Sequence, residues 1–178
     1  MNRVYPFGAA WLAALPDLHV RLQREPPARI ADMGCADGWF SIALARRYPK
    51  VRVDGFDLDD AIIDLAWGNA HHHGLTDRLT FHLRDVSEAT LNGRYDLCIA
   101  HQGLIGMRNP LGVLATMRRL AGDHGHVVIT ATAPEPVRGS SDNALCHQAL
   151  VVGFAGVEAL VIGDGSLFCY RLYQARKG

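Results

Sequence analysis

Apolar positions change their period several times along this chain, and each change marks an element. Trp11, Leu12, Leu15, Leu18 and Leu22 recur at helical spacing, with Pro16 placed where a second helix begins rather than where one helix bends. "REPPAR" breaks that segment. Extended and helical stretches then alternate: "ARIADMG" extended, "GWFSIALARRYP" helical, "VRVDGFDL" extended, "DDAIIDLAWGNAHHHG" helical, "LTFHLRD" extended. "YDLCIAHQG" reads as a strand running into a loop, "NPLGVLATMRRLAG" as a helix, and "HVVITATA" as a strand apolar enough for the centre of a parallel sheet. This is the βαβ repeat of an α/β domain. After the Pro, Gly and Ser-rich "PEPVRGSSDN", "ALCHQALVVGF" reads as a short helix. "VEALVIG" and "LFCYRLYQA" lie too close together for a helical crossover, which predicts antiparallel pairing.

With 178 residues, 49% of them hydrophobic, the chain suits one domain with a full core, and no internal repeat or second boundary is visible. Eighteen basic and eighteen acidic side chains cancel, so no chain-wide field draws in nucleic acid or an anionic membrane. A small-molecule partner is the expectation. No apolar run reaches the roughly twenty residues of a membrane span, and the N-terminus lacks a signal-like cleavage site, so the chain reads as cytoplasmic.

Cys35, Cys98, Cys146 and Cys169 stand far apart and form no CxxC pair, so buried, reduced thiols are expected. His71, His72 and His73 are consecutive, and helical neighbours point about 100° apart, so the run reads as a solvated helix face and no metal is expected.

The candidate chemistry sits in "ADMGCADGWF", where the first strand turns into a helix. In open α/β sheets that turn meets the ligand, and Gly34, Ala36 and Gly38 let the backbone approach it. A dinucleotide site would want G-x-G-x-x-G facing a pyrophosphate, but Asp32 and Asp37 would repel one. A neutral or cationic ligand fits better. Asp57 closes the second strand nineteen residues beyond Gly38, where a carboxylate can accept from two ribose hydroxyls. Asp85 follows the third strand on the same sheet edge, in reach of an exocyclic amine. Each aspartate alone could be a cap or turn residue; the three together describe a cationic amino-acid moiety, a ribose and an adenine.

At these residues the chain resembles the class I S-adenosylmethionine-dependent methyltransferases. Their D-x-G-x-G-x-G turn corresponds to Asp32-Met33-Gly34-Cys35-Ala36-Asp37-Gly38, with alanine at the middle glycine. The resemblance implies a Rossmann-like α/β fold: a seven-stranded, mostly parallel sheet in the order 3-2-1-4-5-7-6, last strand antiparallel, with helices on both faces. It implies that the turn from Asp32 to Gly38 lines the methionine part of S-adenosylmethionine, that Asp57 takes the ribose and Leu58 packs on the adenine, and that Asp85 with the Val86 amide reads the adenine edge. S-adenosylhomocysteine would be the product.

Several stretches, among them "GRYDLCIA", are similar to bacterial small-molecule methyltransferases that usually carry an N-terminal winged-helix domain and a longer insert where this chain has "PEPVRGSSDN". The expected division is one methyltransferase-type domain over 1–178: a helical segment at 1–27, a cofactor-binding core at 28–133 and a shortened C-terminal part at 134–178. Where such relatives have a His-Asp pair after the fourth strand, this chain has Ile105 and Gly106, which move no proton. His101, at that strand's end, is the candidate catalytic and cofactor-lining residue, able either to accept a proton near neutral pH or only to pack. Two functions follow: a methyltransferase acting on a small molecule, or a non-catalytic cofactor-binding module working with a partner. An open acceptor side makes a homodimer an expectation. A dehydrogenase of the Tyr-x-x-x-Lys kind, a G-x-S-x-G hydrolase and a P-loop have no matching motif.

Overall fold

Alternation along the first strand sets the two faces of the sheet. In β1 (Arg29–Met33), Ile30 and Asp32 point to one side and Ala31 and Met33 to the other, and all four are buried. The computed structural model describes residues 9–87, 94–122, 124–132, 147–162 and 167–173. Around β1 lie β2 (Arg52–Asp57), β3 (Leu79–Leu83), β4 (Leu97–His101), β5 (His126–Thr132), β6 (Gly156–Ile162) and β7 (Leu167–Tyr173). The sheet order is β3-β2-β1-β4-β5-β7-β6. β7 runs antiparallel to both β5 and β6, and the remaining pairings are parallel. The expected α/β sheet is present, including its antiparallel last strand.

One face carries a 3-10 turn (Ala10–Ala14) and the helices α1 (Pro16–Arg21), α2 (Trp39–Arg47) and α3 (Asp60–His72). Pro16 does begin a second helix, at its first position, where its missing N–H has no partner to lose. A six-residue helix has no stability of its own. Burying Trp11, Leu12, Leu15, Leu18 and Leu22 contributes about 1.5–3 kcal/mol each, and that holds the segment to the sheet. The other face carries α4 (Pro110–Ala121) and a helical turn at 147–151, over Met33, Ala100, Val127 and Ile129. Asn109 caps α4 by accepting the Gly112 amide, and Asp59 caps α3 by accepting the Ile62 amide. The linker "PEPVRGSSDN" and the first residues of the last predicted helix lie outside the described residues.

His71 and His72 are exposed, but His73 differs from the solvated face expected of it: it lies half-buried, its Nδ1 2.8 Å from Arg46 Nη2 and its ring edge-on to Trp39. Cys35, Cys98 and Cys169 are free, buried thiols, and burial pushes all three up in pKa. Among the described residues no helix is long and apolar enough to cross a membrane, and no cluster of His, Cys, Asp or Glu could hold a metal ion.

Candidate active site

Backbone conformation makes the turn after β1. Gly34 and Gly38 have φ of +74° and +79°, a left-handed region open to glycine at no steric cost. A Cβ on Gly34 would sit 2.6 Å from Met107 Cε, and one on Gly38 would sit 2.8 Å from the Phe81 ring. Ala36 also has positive φ, +48°, so alanine occupies the conformation for which glycine is suited. The end of β2 ties the turn down: the Phe56 carbonyl accepts from the Gly34 and Cys35 amides, and Asp57 Oδ2 accepts from the Ala36 amide at 3.0 Å.

Two cavities open on this edge of the sheet and share Gly34. The first, about 190 Å³, is lined by Phe56, Asp57, Leu58, Asp85, Val86 and Met107 among others. Asp57 Oδ1 accepts from the Leu58 and Asp59 amides, and Asp85 accepts from the Ser87 amide and hydroxyl. Leu58 is 54% exposed here, an apolar side chain turned toward the crevice rather than the core.

The second cavity, about 270 Å³, is lined by Asp32, Cys35, Ala36, Phe40, His101 and Gln102 together with Gly34 and Gly103. Asp32 is the anomaly. It is 1% exposed, its Oδ2 accepts from Ser41 Oγ at 2.6 Å, and its Oδ1 has no partner among the described residues. Burial pushes its carboxyl up to about 6, against the opposing pull of the Ser41 hydrogen bond. The His101 ring stacks on Phe40 at 3.9 Å between centroids, with Trp11 parallel beside it, and its Nδ1 lies 2.8 Å from Thr130 Oγ1. Burial pushes His101 down to about 4.

Of the residues singled out in the sequence, Asp32, Gly34, Cys35, Ala36 and His101 share one cavity, and Asp57, Leu58, Asp85 and Val86 the other. Asp37 and Gly38 line neither: the Asp37 carbonyl accepts from Asn69 Nδ2, and Gly38 makes the turn into α2. Sequence reasoning missed Phe40, Ser41, Gln102, Met107 and Thr130. Met107 and Thr130 reach the site from outside the glycine-rich turn, and no local pattern marks them.

A family profile described as a methyltransferase domain matches residues 25–159. The chain belongs to the class I S-adenosylmethionine-dependent methyltransferases. The chain is 28% identical over 166 residues to the release factor glutamine methyltransferase of Xylella fastidiosa strain 9a5c, a match covering 81% of this chain and 60% of that protein. Its fold superposes on mitomycin 7-O-methyltransferase with a TM-score of 0.73 at 14% identity, over 92% of this chain and 54% of that one. The magnesium protoporphyrin IX methyltransferase of Synechocystis PCC 6803, crystallised with S-adenosylmethionine, superposes with a TM-score of 0.67 at 21% identity, over 94% and 76%. The chain thus spans about three fifths of the Xylella enzyme's length.

The family's cofactor fits the residues present. An unpaired, buried carboxylate oxygen needs a donor, and the amino group of a methionine moiety is one. Leu58 and Val86 offer apolar contact for a purine, and Asp57, partly exposed, keeps acceptor capacity for hydroxyls.

Proposed function

We propose that this chain binds S-adenosylmethionine across the two cavities and transfers its methyl group to a small-molecule acceptor in the cytoplasm. The observation that carries the reading is Asp32 Oδ1, buried and unpaired at the C-terminal end of β1. When bound, the cofactor supplies an electrophilic methyl on a sulfonium. Asp32 would accept from its ammonium, Asp57 from the ribose hydroxyls, and Asp85 from the adenine amine, while Leu58 and Val86 exclude water from the base. Gly34 lines both cavities, and a Cβ there would crowd Met107 Cε between them and the turn. The second cavity, about 270 Å³, is of a size for a methionine moiety with a small acceptor group beside it. Rate then comes from holding the acceptor near the methyl carbon and in line with the departing sulfur.

One observation favours the second reading, a cofactor-binding module that works through a partner. His101, the candidate base, is pushed down to about 4 and so is a weak base, and Ile105 and Gly106 carry no titratable group. Calorimetric titration with S-adenosylmethionine and S-adenosylhomocysteine, wild type beside Asp57→Ala, tests both. Tight binding by wild type and a loss of tenfold or more in the variant is the expected result. No binding by wild type rejects both readings, and binding without turnover of any acceptor favours the second.

A further inference from the structure

Thr130 decides which nitrogen of His101 carries the proton. The threonine is 1% exposed on β5, directly across from His101 on β4. The Gln102 backbone amide donates to the Thr130 carbonyl at 3.0 Å and, more weakly, to Thr130 Oγ1 at 3.2 Å, and Oγ1 lies 2.8 Å from His101 Nδ1. A hydroxyl has one hydrogen to give, and a buried one without an acceptor is costly. Among the described residues, His101 Nδ1 is the acceptor bonded to that hydroxyl. If Nδ1 carried the hydrogen instead, the hydroxyl's own hydrogen would be left without an acceptor among the described residues. Nδ1 is therefore bare, and the neutral ring carries its proton on Nε2.

Gln102 does not hold the other ring nitrogen. Its terminal nitrogen lies 3.5 Å from His101 Nε2, the outer limit of a hydrogen bond, and the side chain is exposed. Beside the ring, Trp11 Nε1–H is a buried donor without a partner among the described residues.

We infer that Thr130 holds His101 as a hydrogen-bond donor on the acceptor side of the crevice, and that the methyl acceptor is one that arrives already ionised, a carboxylate. The inference rests on the methyltransferase reading and deepens it. A ring with Nε2 protonated and Nδ1 occupied has no free lone pair with which to take a proton from a neutral alcohol. A carboxylate needs none taken: one oxygen accepts from Nε2–H while the other supplies the bonding pair. That oxygen bonds the methyl carbon as the carbon–sulfur bond breaks and its electron pair returns to sulfur. The products are a methyl ester and a neutral thioether, and no proton changes hands. Asp32 does not oppose the second anion, because under the same reading its charge is met by the cofactor's ammonium.

The test reads the ring before it reads catalysis. In the full chain labelled with nitrogen-15, His101 is expected to show a protonated-type Nε2 and a bare, hydrogen-bonded Nδ1. Thr130→Val is expected to shift Nδ1 toward the unbonded position, and Thr130→Ser to restore it. A protonated Nδ1 in the wild type overturns the inference, as does a Thr130→Val spectrum identical to wild type. With S-adenosylhomocysteine bound, benzoate and malonate are expected to move the Nε2–H resonance and benzamide and benzyl alcohol to leave it in place. No response to either carboxylate, or an equal response to the neutral compounds, overturns the substrate class. Failure to bind the cofactor in the parallel titration would reject the methyltransferase reading and the substrate class with it, while the tautomer, measured on the free chain, would stand or fall by itself.

Discussion

Asp32 and His101 line the same cavity, and burial shifts them in opposite senses: the carboxyl up to about 6, the imidazole down to about 4. Each shift disfavours the charged form. The crevice floor thus resists charge on either side until a ligand supplies the partner.

Their effects on stability oppose each other. From about pH 3.8 to 6 the folded chain keeps a proton on Asp32 that the unfolded chain has lost, so this carboxyl's contribution falls as pH rises through that window. From about pH 4 to 6.5 the unfolded chain holds the proton on His101, so that contribution rises with pH. Each is worth on the order of 3 kcal/mol and the windows overlap, so together they nearly cancel. Thermal melting from pH 4 to 7 at fixed ionic strength should separate them. Asp32→Asn should lose stability on acidification and His101→Phe should gain it; parallel curves for the two variants would contradict the assignment.

Cofactor affinity should carry the Asp32 signature directly. An ammonium group needs the ionised carboxylate, so affinity for S-adenosylmethionine should be level above about pH 6 and weaken up to tenfold for each unit below it. Calorimetry across pH 4.5 to 8 reads this, and in Asp32→Asn the slope should vanish along with most of the affinity.

The turn makes two opposite predictions for small residues. Gly34→Ala places a methyl 2.6 Å from Met107 Cε at a φ of +74°, and should cost about 1–2 kcal/mol and most cofactor binding. Adding Met107→Ala should relieve the contact while leaving the backbone cost. Ala36→Gly, by contrast, frees a left-handed residue, and should stabilise by about 0.5 kcal/mol after the unfolded chain's added freedom is set against it. Urea unfolding measures all three.

Outside both cavities, Tyr95 donates to Asp54 Oδ2 at 2.9 Å, and Arg29 Nη2 reaches the same oxygen at 3.0 Å. Burial and the neighbouring carboxylate push the tyrosine above its ordinary range, so it stays a donor at all working pH values. Tyr95→Phe should cost about 1 kcal/mol in urea unfolding and leave cofactor affinity unchanged, because the pair lies outside both cavities.

The elements, the parallel sheet and the antiparallel last pair were legible in the chain because they rest on local period and on connection length. Pro16 marked a helix start by chemistry that acts within a few residues, and the structure adds the Asp59 and Asn109 caps at the starts of α3 and α4. The turn from Asp32 to Gly38 and the acids at Asp57 and Asp85 were legible for a similar reason, since a crossover topology brings strand ends to one edge whatever the side chains do.

Packing across the sheet decided the rest. Asp37 belonged to the same motif as Asp32, yet only the fold sends Asp32 inward to Ser41 and leaves Asp37 off both cavities. His101 read as a proton acceptor near neutral pH because the unperturbed imidazole is one. Its burial on Phe40 and its bond to Thr130 come from residues 61 and 29 positions away, and they change both the ring's acidity and the side of the ring that holds the proton. A sequence carries the identity of each titratable group; its solvent and its hydrogen-bond partner exist only once distant strands have met.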